Sequence, residues 1–451
     1  MQANRPTGIR RGVAARIRRP RFVSLFGLAI LSSTAFGQAT MRAAFVCNDG
    51  NLEGSVTSYT FNPDGSPNFV HKIVTGRRQS SSEYEPGCNA YTISITPNGK
   101  YLATGHAAGN YDYQQLTILE VAPDAILTIL GEYLTPTTPL NIEWINDRYL
   151  AATRCHLGAT NEVIVYDWDP NGLTLTEVDR GQTGSFTSSI SVHPSREYLY
   201  AGDSGINFIY AFQVNLDGSL TSIQSLSTGG TYPLSVKVSP DGTKLYANGG
   251  ISSGSHAVLG YHIAPDGTLN AMIASPFYSP GDSPKDCVCS RDTTILFVGH
   301  GSDSTSRSFL IDGETGQLTS TGYSFDVGTF SGELGDQAVL GDYLLITDNW
   351  YNERGLYSFD ILPNGNFTMN GTIVDSQGVG PREIAAWLPP CIGDLDGDDQ
   401  IGLSDLAILL ASYGLCDGHP NFAPEADLDG DGCVGLADLA TLLAHYGQPC
   451  P

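Results

Sequence analysis

The chain predicts a mainly β fold, a seven-bladed β-propeller with four-stranded blades, followed by a small, acidic α-helical domain. Three observations carry this. One phrase recurs down the chain at spacings of 46 to 51 residues. Asn-Gly and Asp-Gly turns punctuate short alternating apolar runs, as tight hairpins require. After Pro389-Pro390 the composition changes abruptly: Lys and Arg vanish, and regularly spaced Asp residues appear.

Residues 1–38 read as an export signal. Seven Arg and no acidic residue surround or precede the apolar stretch Phe22–Leu31, and the small residues Ser32, Ser33, Thr34 and Ala35 follow. Cleavage is expected near Gly37 or Ala39. The apolar run is too short to cross ~30 Å of hydrocarbon as a helix, and no later segment is long and apolar enough, so no membrane insertion is expected. Loss of the signal leaves 16 basic against 47 acidic side chains, a net charge of −31. Such a surface repels phosphate backbones and anionic lipid, which excludes nucleic acid and membrane surfaces as partners. The expected location is secreted or otherwise extracytoplasmic, at the cell surface or in the periplasm. Nine Cys in an exported chain predict disulfides, with at least one thiol left over.

Residues 41–388 carry the repeat. Its clearest copies are Ile93–Ala103, Ile190–Tyr200 and Val236–Tyr246, with weaker ones at Ile142–Ala151, Val288–Phe297 and Ala338–Leu345. Leu102, Leu150, Leu199, Leu245, Leu296 and Leu344 occupy equivalent positions. Between them lies an aromatic strand and hairpin turn, as in Tyr59–Gly65, Tyr166–Gly172, Tyr210–Gly218, Tyr261–Gly267 and Tyr357–Gly365. Units of this length read as propeller blades, since one blade cannot bury both of its faces alone. Six complete units and a half-unit at 43–75 leave one inner strand missing, which Arg382–Trp387 is expected to supply. That closure removes exposed sheet edges.

Residues 389–392 form a stiff linker, and 393–451 the tail. Asp394, Asp396, Asp398 and Asp405 stand at positions 1, 3, 5 and 12 of a twelve-residue loop; Asp427, Asp429, Asp431 and Asp438 repeat this 33 residues later. The spacing wraps hard oxygens around a cation of calcium's size, with backbone carbonyls of Gln400 and Cys433 at position 7, so two Ca2+ ions are expected. Position 12 is expected to open a helix in each repeat, Asp405–Tyr413 and Asp438–Tyr446. Each repeat continues as Leu-Ala-x-Leu-Leu-Ala-x-Tyr-Gly. A loop followed by a single helix, twice over, resembles a type I dockerin module. The resemblance implies docking to a cohesin-like or other partner through positions 10 and 11, Leu403-Ser404 and Leu436-Ala437, often in polysaccharide breakdown. Asp399 stands where that family usually has Gly, and Gly402 and Gly435 stand where Asn or Ser is common. The antiparallel helices of such a module bring each helix end near the opposite loop, which predicts disulfides Cys391–Cys450 and Cys416–Cys433. In the propeller a Cys47–Cys88 bridge is expected, and none between Cys287 and Cys289.

The phrases Ser-Pro-Asp-Gly-Thr-Lys-Leu-Tyr-Ala-Asn, from Ser239, and Leu-Asp-Gly-Ser-Leu-Thr, from Leu216, resemble the seven-bladed lactonase family, which includes 6-phosphogluconolactonases and muconate-lactonising relatives. The family's catalytic stretch is Gly-Pro-Arg-His at the start of an inner strand. Here it reads Gly380-Pro381-Arg382-Glu383, with Glu in place of His, and the stretches at Pro139, Pro233 and Pro284 also lack a His. The sequence therefore favours a propeller that binds a small molecule, carbohydrate or partner. The alternatives are a lactone hydrolase and a polysaccharide-associated enzyme or adaptor. For hydrolysis, a base must activate water and a cation must hold the oxyanion. Arg154 with His156, or Arg382 with Glu383, are the candidate pairs. His106, Asp203, Asn248, His300 and Asp348 are further polar residues expected at the rim of one face.

Overall fold

The computed structural model describes residues 42–447, apart from 51–52, 81–82, 87–88, 107–114, 137–138, 155–160, 250–255, 329, 350–353, 390, 397–399 and 420. The predicted signal lies outside these residues. Among them no helix is long and apolar enough to cross a membrane.

Seven antiparallel sheets follow one another around an axis. Blade one joins the chain's two ends: Ala43–Asn48 pairs with Ser55–Phe61 on one side and with Pro381–Trp387 on the other, Phe45 facing Ala385. Blades two to seven each run outward in chain order from an inner strand. Those inner strands are Ala90–Ile95, Ile142–Trp144, Thr187–Val192, Ser235–Val238, Pro284–Cys289 and Leu334–Leu340. Two features escape the repeat. A hairpin, Arg77–Ser80 with Glu83–Pro86, is inserted between blades one and two. The outer strands of blades five and seven are each broken in two.

Because each sheet is covered on both faces, the second strands are buried on both faces rather than on alternate residues; Tyr101–His106 and Ile295–His300 are buried at every position. Seven apolar clusters result, one between each pair of neighbouring blades. Cys47 lies in the cluster between blades one and two, with Phe45 and Leu102, and is a free thiol. This corrects the expected Cys47–Cys88 bridge: strand alternation turns Cys47 into the core, and Cys88 lies outside the described residues. Cys287 and Cys289 are likewise buried and free.

The turn leaving each inner strand shows what the hairpin glycines do. Gly99 closes the Thr96 turn at φ 70°, with its N–H on Thr96 O at 2.8 Å. A Cβ built there would stand 2.1 Å from the indole of Trp387, so the closing strand packs directly on this glycine. The equivalent turn of blade four has Arg196 at φ 64° instead.

In the tail, α1 spans Leu403–Ser412 and α2 Leu436–His445. Both begin two residues before the expected position. Asp405 and Asp438 sit in the first turn, where Asp405 Oδ2 accepts the Gly402 N–H and Asp438 Oδ2 the Gly435 N–H, each at 2.6 Å. A side chain that satisfies an orphan donor at a helix start extends the helix past its own residue.

Candidate active site in the central channel

An inner strand has a partner on its outer side only, so its axial N–H groups would go unsatisfied without help. Side chains supply it at six of the seven blade junctions, and at the remaining one, between blades five and six, two side chains bond each other. Glu383 Oε2 accepts the Ile93 N–H at 2.7 Å, Thr92 Oγ1 that of Ile142 at 3.1 Å, and Asn141 Oδ1 that of Ile190 at 2.8 Å. Ser191 Oγ accepts the Val238 N–H at 3.1 Å, and Ser235 Oγ donates to Asp286 Oδ1 at 3.2 Å. Asp286 Oδ2 accepts the Gln337 N–H at 3.3 Å and Asp336 Oδ2 that of Ile384 at 2.9 Å. The channel wall is polar because the ring is laced in this way.

Two cavities occupy the channel. The first, about 310 Å³, opens where the inner strands begin and is lined by Tyr91, Phe186, Ser188, Lys285, Asp286 and Arg382 among others. The second, about 360 Å³, lies toward their far ends, with Glu143, Trp144, Arg196 and Trp387. Asn141, Lys237, Asp336 and Glu383 line both and form the waist between them.

At the first mouth the Arg382 guanidinium lies 3.7 Å from the centroid of the Tyr91 ring, donates to the Tyr91 hydroxyl, and faces Asp49 Oδ2 at 3.4 Å. Burial pushes the Asp49 carboxyl up to about 6, against the pull of Arg382. Lys285 Nζ donates to Leu334 O. Burial, helped by the charge of Arg382, pushes the Lys285 ammonium down to about 8. At the waist, burial would lower Lys237, but Asp286, Asp336 and Glu143 outweigh it and raise its pKa. Burial holds the Asp336 carboxyl well above the carboxylate range, reinforced by the charges of Asp286 and Glu383. It raises Glu383 also, and pushes Glu143 up to about 7. Several ionisable groups with displaced affinities for protons in one cleft is the pattern of a functional site.

Residues 157–259 match the family described as lactonase, 7-bladed beta-propeller. Among solved structures, the periplasmic gluconolactonase of Pseudomonas aeruginosa superposes with a TM-score of 0.60 at 18% identity, over 78% of this chain and 100% of that one. A 6-phosphogluconolactonase candidate from Bacteroides fragilis gives 0.63 at 16%, over 78% and 99%. The propeller is lactonase-like. The same architecture also serves a hypothetical selenium-binding protein from Sulfolobus tokodaii, at a TM-score of 0.54 and 13% identity over 77% and 92%, so the fold does not name the chemistry. No curated protein sequence matches the chain.

Within the lactonase-like propeller the two candidate pairs fare differently. Arg382 and Glu383 both line the first cavity. Glu383, however, is engaged through both oxygens, with Ile93 N–H on one and Asn141 Nδ2 at 2.8 Å on the other, so it laces blades rather than standing free as a base. Arg154 pairs with Glu162 at 2.8 Å and lines neither channel cavity; His156 lies outside the described residues. The rim residues end the second strands and are buried among the loops. His106 Nε2 meets Thr117 Oγ1 at 3.0 Å, Asp203 Oδ2 accepts the Phe186 N–H at 3.1 Å, and His300 Nε2 meets Ser279 Oγ at 2.7 Å. Asn248 donates to the Asp286 carbonyl, and Asp348 is buried.

Sequence reasoning passed over Asp49, Tyr91, Glu143, Lys237, Lys285, Asp286 and Asp336. One signal was available: charged residues inside inner strands whose neighbours are apolar or small. In sequence, Lys285 and Asp286 stand out only as a stretch that lacks a His.

In the tail, the carboxylates of Asp394, Asp396 and Asp405 come within 4.8 Å of one another, and so do those of Asp427, Asp429 and Asp431. Asp398 lies outside the described residues. Asp429 accepts the Asp431 N–H, yet desolvation and the charges of Asp431, Asp438 and Asp427 raise its pKa. Both oxygens of Asp438 already accept backbone N–H groups, two on Oδ1 and one on Oδ2. The donor set is all hard oxygen and suits calcium. Each helix end meets the opposite loop: Gly414 N–H bonds Val434 O and Gly447 N–H bonds Ile401 O, both at 2.7 Å. Cys416 and Cys433 are disulfide-bonded, with Cα atoms 3.9 Å apart. Cys391 is disulfide-bonded too; Cys450 lies outside the described residues.

Proposed function

We propose that the protein is an extracytoplasmic hydrolase of small polar lactones, working in the first channel cavity and tethered by its C-terminal tail. One observation carries the reading: Arg382 and Lys285 share a small cavity in a chain whose formal net charge is −24. Opening a lactone builds negative charge on the carbonyl oxygen, and fixed cations in a site shielded from water stabilise that charge more than water does. A cavity of about 310 Å³ suits a five- or six-membered sugar lactone. Likeness to a gluconolactonase propeller favours this reading over the non-catalytic binder that the missing His suggested. A panel of sugar lactones assayed for ring opening tests it. Turnover that falls at least ~100-fold in Arg382→Met is expected. No turnover on any lactone would return the propeller to a binding role.

The tail is proposed to bind two calcium ions, through Asp394, Asp396, Asp398, Gln400 and Asp405 and through Asp427, Asp429, Asp431, Cys433 and Asp438, and to dock to a cohesin-like partner. The repeats expose matching side chains: Leu403 and Leu436 are each 73% accessible, Leu410 and Leu443 each 52%. Ser404 and Ala437 lie beside the first pair. Calorimetric titration of a cohesin in calcium and in chelator tests the docking; binding that ignores Leu403→Asp with Leu436→Asp would exclude this face. Extracytoplasmic placement is supported by the tail's disulfide bonds.

A further inference from the structure

The inner strands of five blades share an irregularity at their entrances. Each carries one residue too many for its pairing, so that the register with the second strand slips. Tyr91 falls between the Ala90–His106 and Thr92–Gly105 pairs, and Ser188 between Thr187–Asp203 and Ser189–Gly202. Lys285 falls between Pro284–His300 and Asp286–Gly299. In blade seven Gly335 and Asp336 stand against Thr347 alone, and in blade one Arg382 and Glu383 against Cys47 alone. A β-bulge bends its strand and re-aims a side chain. Here Tyr91, Ser188, Lys285, Asp336 and Arg382 all line the first cavity, so the bulges supply its walls.

Tyr91 is the member of this set with a neutral proton still to give. A guanidinium can only donate, so the bond from Arg382 makes the Tyr91 oxygen the acceptor and leaves its O–H for another partner. No described residue accepts it. Ser188 Oγ, by contrast, already donates to Pro233 O at 3.1 Å. The phenol is also fixed in place: the Arg382 guanidinium stacks 3.7 Å from its ring centroid and is itself held by Asp49 Oδ2 at 3.4 Å. Burial raises the Tyr91 pKa against the pull of Arg382, so the proton stays on at neutral pH. A cation donating to the oxygen polarises the O–H and strengthens it as a donor.

We infer that Tyr91 is a catalytic residue whose hydroxyl donates the hydrogen bond that holds a lactone's carbonyl oxygen as it becomes an oxyanion, an assignment that rests on the hydrolase reading above. Water's oxygen bonds to the carbonyl carbon, and the carbonyl oxygen takes up the negative charge facing the Tyr91 O–H. The bond from that carbon to the ring oxygen then breaks. Its electron pair leaves on the ring oxygen, where the proton lost by water ends, and the product is the open hydroxy acid. Tyr91 keeps its own proton throughout, and only lactone and water are consumed. A donor already in place when the charge develops needs no rearrangement at that moment, which is what makes such a contact favour the transition state over the ground state.

Tyr91→Phe tests this, since it keeps the ring against Arg382 and removes only the O–H. On whichever sugar lactone the wild type opens fastest, kcat is expected to fall about 100-fold with little change in KM, and the melting temperature to stay as it was. The same change made in Arg382→Met separates a donor from a support for Arg382. A donor costs a further ~10-fold or more in that background, whereas a support costs nothing. Wild-type kcat in Tyr91→Phe, or no further loss in the double variant, would overturn the assignment. A wild-type protein inert on every lactone would instead overturn the hydrolase reading, and the role of Tyr91 with it.

Discussion

Glu383 Oε2 accepts the Ile93 N–H at 2.7 Å, so a side chain of the last strand in the ring holds the inner strand of blade two. Its other oxygen takes Asn141 Nδ2, and Asn141 in turn holds blade four. One residue near the end of the propeller chain thus links three blades. Glu383→Ala should cost about 2–4 kcal/mol, two hydrogen bonds to a charged group at ~1.5–3 kcal/mol each with partial relaxation. Glu383→Gln, which keeps one of the two acceptors, should lose about half of that. Urea unfolding of both variants measures the difference, and equal losses would show that the lacing is not what holds the junction.

Glu143 makes propeller stability depend on pH. Burial pushes its folded-state pKa up to about 7, above the 4.5 of an ordinary Glu. The folded protein therefore holds this proton more tightly than the unfolded chain does. The resulting stability is complete below pH ~4.5 and is lost as pH rises through ~7. Thermal melts should fall by a few degrees, roughly, between pH 5 and 8, and Glu143→Gln should flatten that slope. An unchanged slope would show that Glu143 is ionised in the fold at pH 5.

Arg196 occupies the left-handed position that Gly99 and Gly242 take in other blades, with the same N–H bond back to the third residue before it. A side chain there costs about 1–2 kcal/mol, offset in part by the greater freedom of glycine in the unfolded chain. Arg196→Gly is expected to raise stability by about 0.5–1 kcal/mol. A loss on chemical denaturation would mean that Arg196 contributes more as a cation beside the second cavity than it costs as strain.

The Cys416–Cys433 bridge closes a loop with a sequence separation of 17 between α1 and the second acidic loop. By loop length alone it stabilises the tail by about 3 kcal/mol. In the full chain, Cys416→Ser should bring proteolytic cleavage of 391–451 at protease concentrations that leave the wild type intact. The propeller should melt as before.

Calcium should protect the same segment. Acidic groups crowded into two loops repel until a cation neutralises them, so chelator should speed cleavage of the tail and Asp405→Asn or Asp438→Asn should weaken calcium's protection. Identical cleavage with calcium and with chelator would argue against ion binding.

Much of this architecture was legible in the chain. The leucines from Leu102 to Leu344 report a local event, a short strand followed by a turn, and local events leave a period. The closing strand was legible too, because a ring one strand short must find it elsewhere and Arg382–Trp387 was the run remaining; the strand spans Pro381–Trp387. The acidic loops show in the spacing of their own side chains.

The channel was another matter. Lys237, Asp286, Asp336 and Glu383 belong to four blades, and nothing near any of them in the chain says that they meet. Only closure into a ring turns one edge of every inner strand to a common axis. There the orphaned N–H groups demand polar side chains, and the waist brings opposite charges together out of water. The rim histidines His106 and His300 went the opposite way. At the ends of second strands, sheets packed on both faces bury them against Thr117 and Ser279, so residues that read as chemistry became structure. The start of α1 was decided locally: Asp405 reaches back three residues to the Gly402 N–H, a capping contact that carries the helix past the loop position from which its start was read.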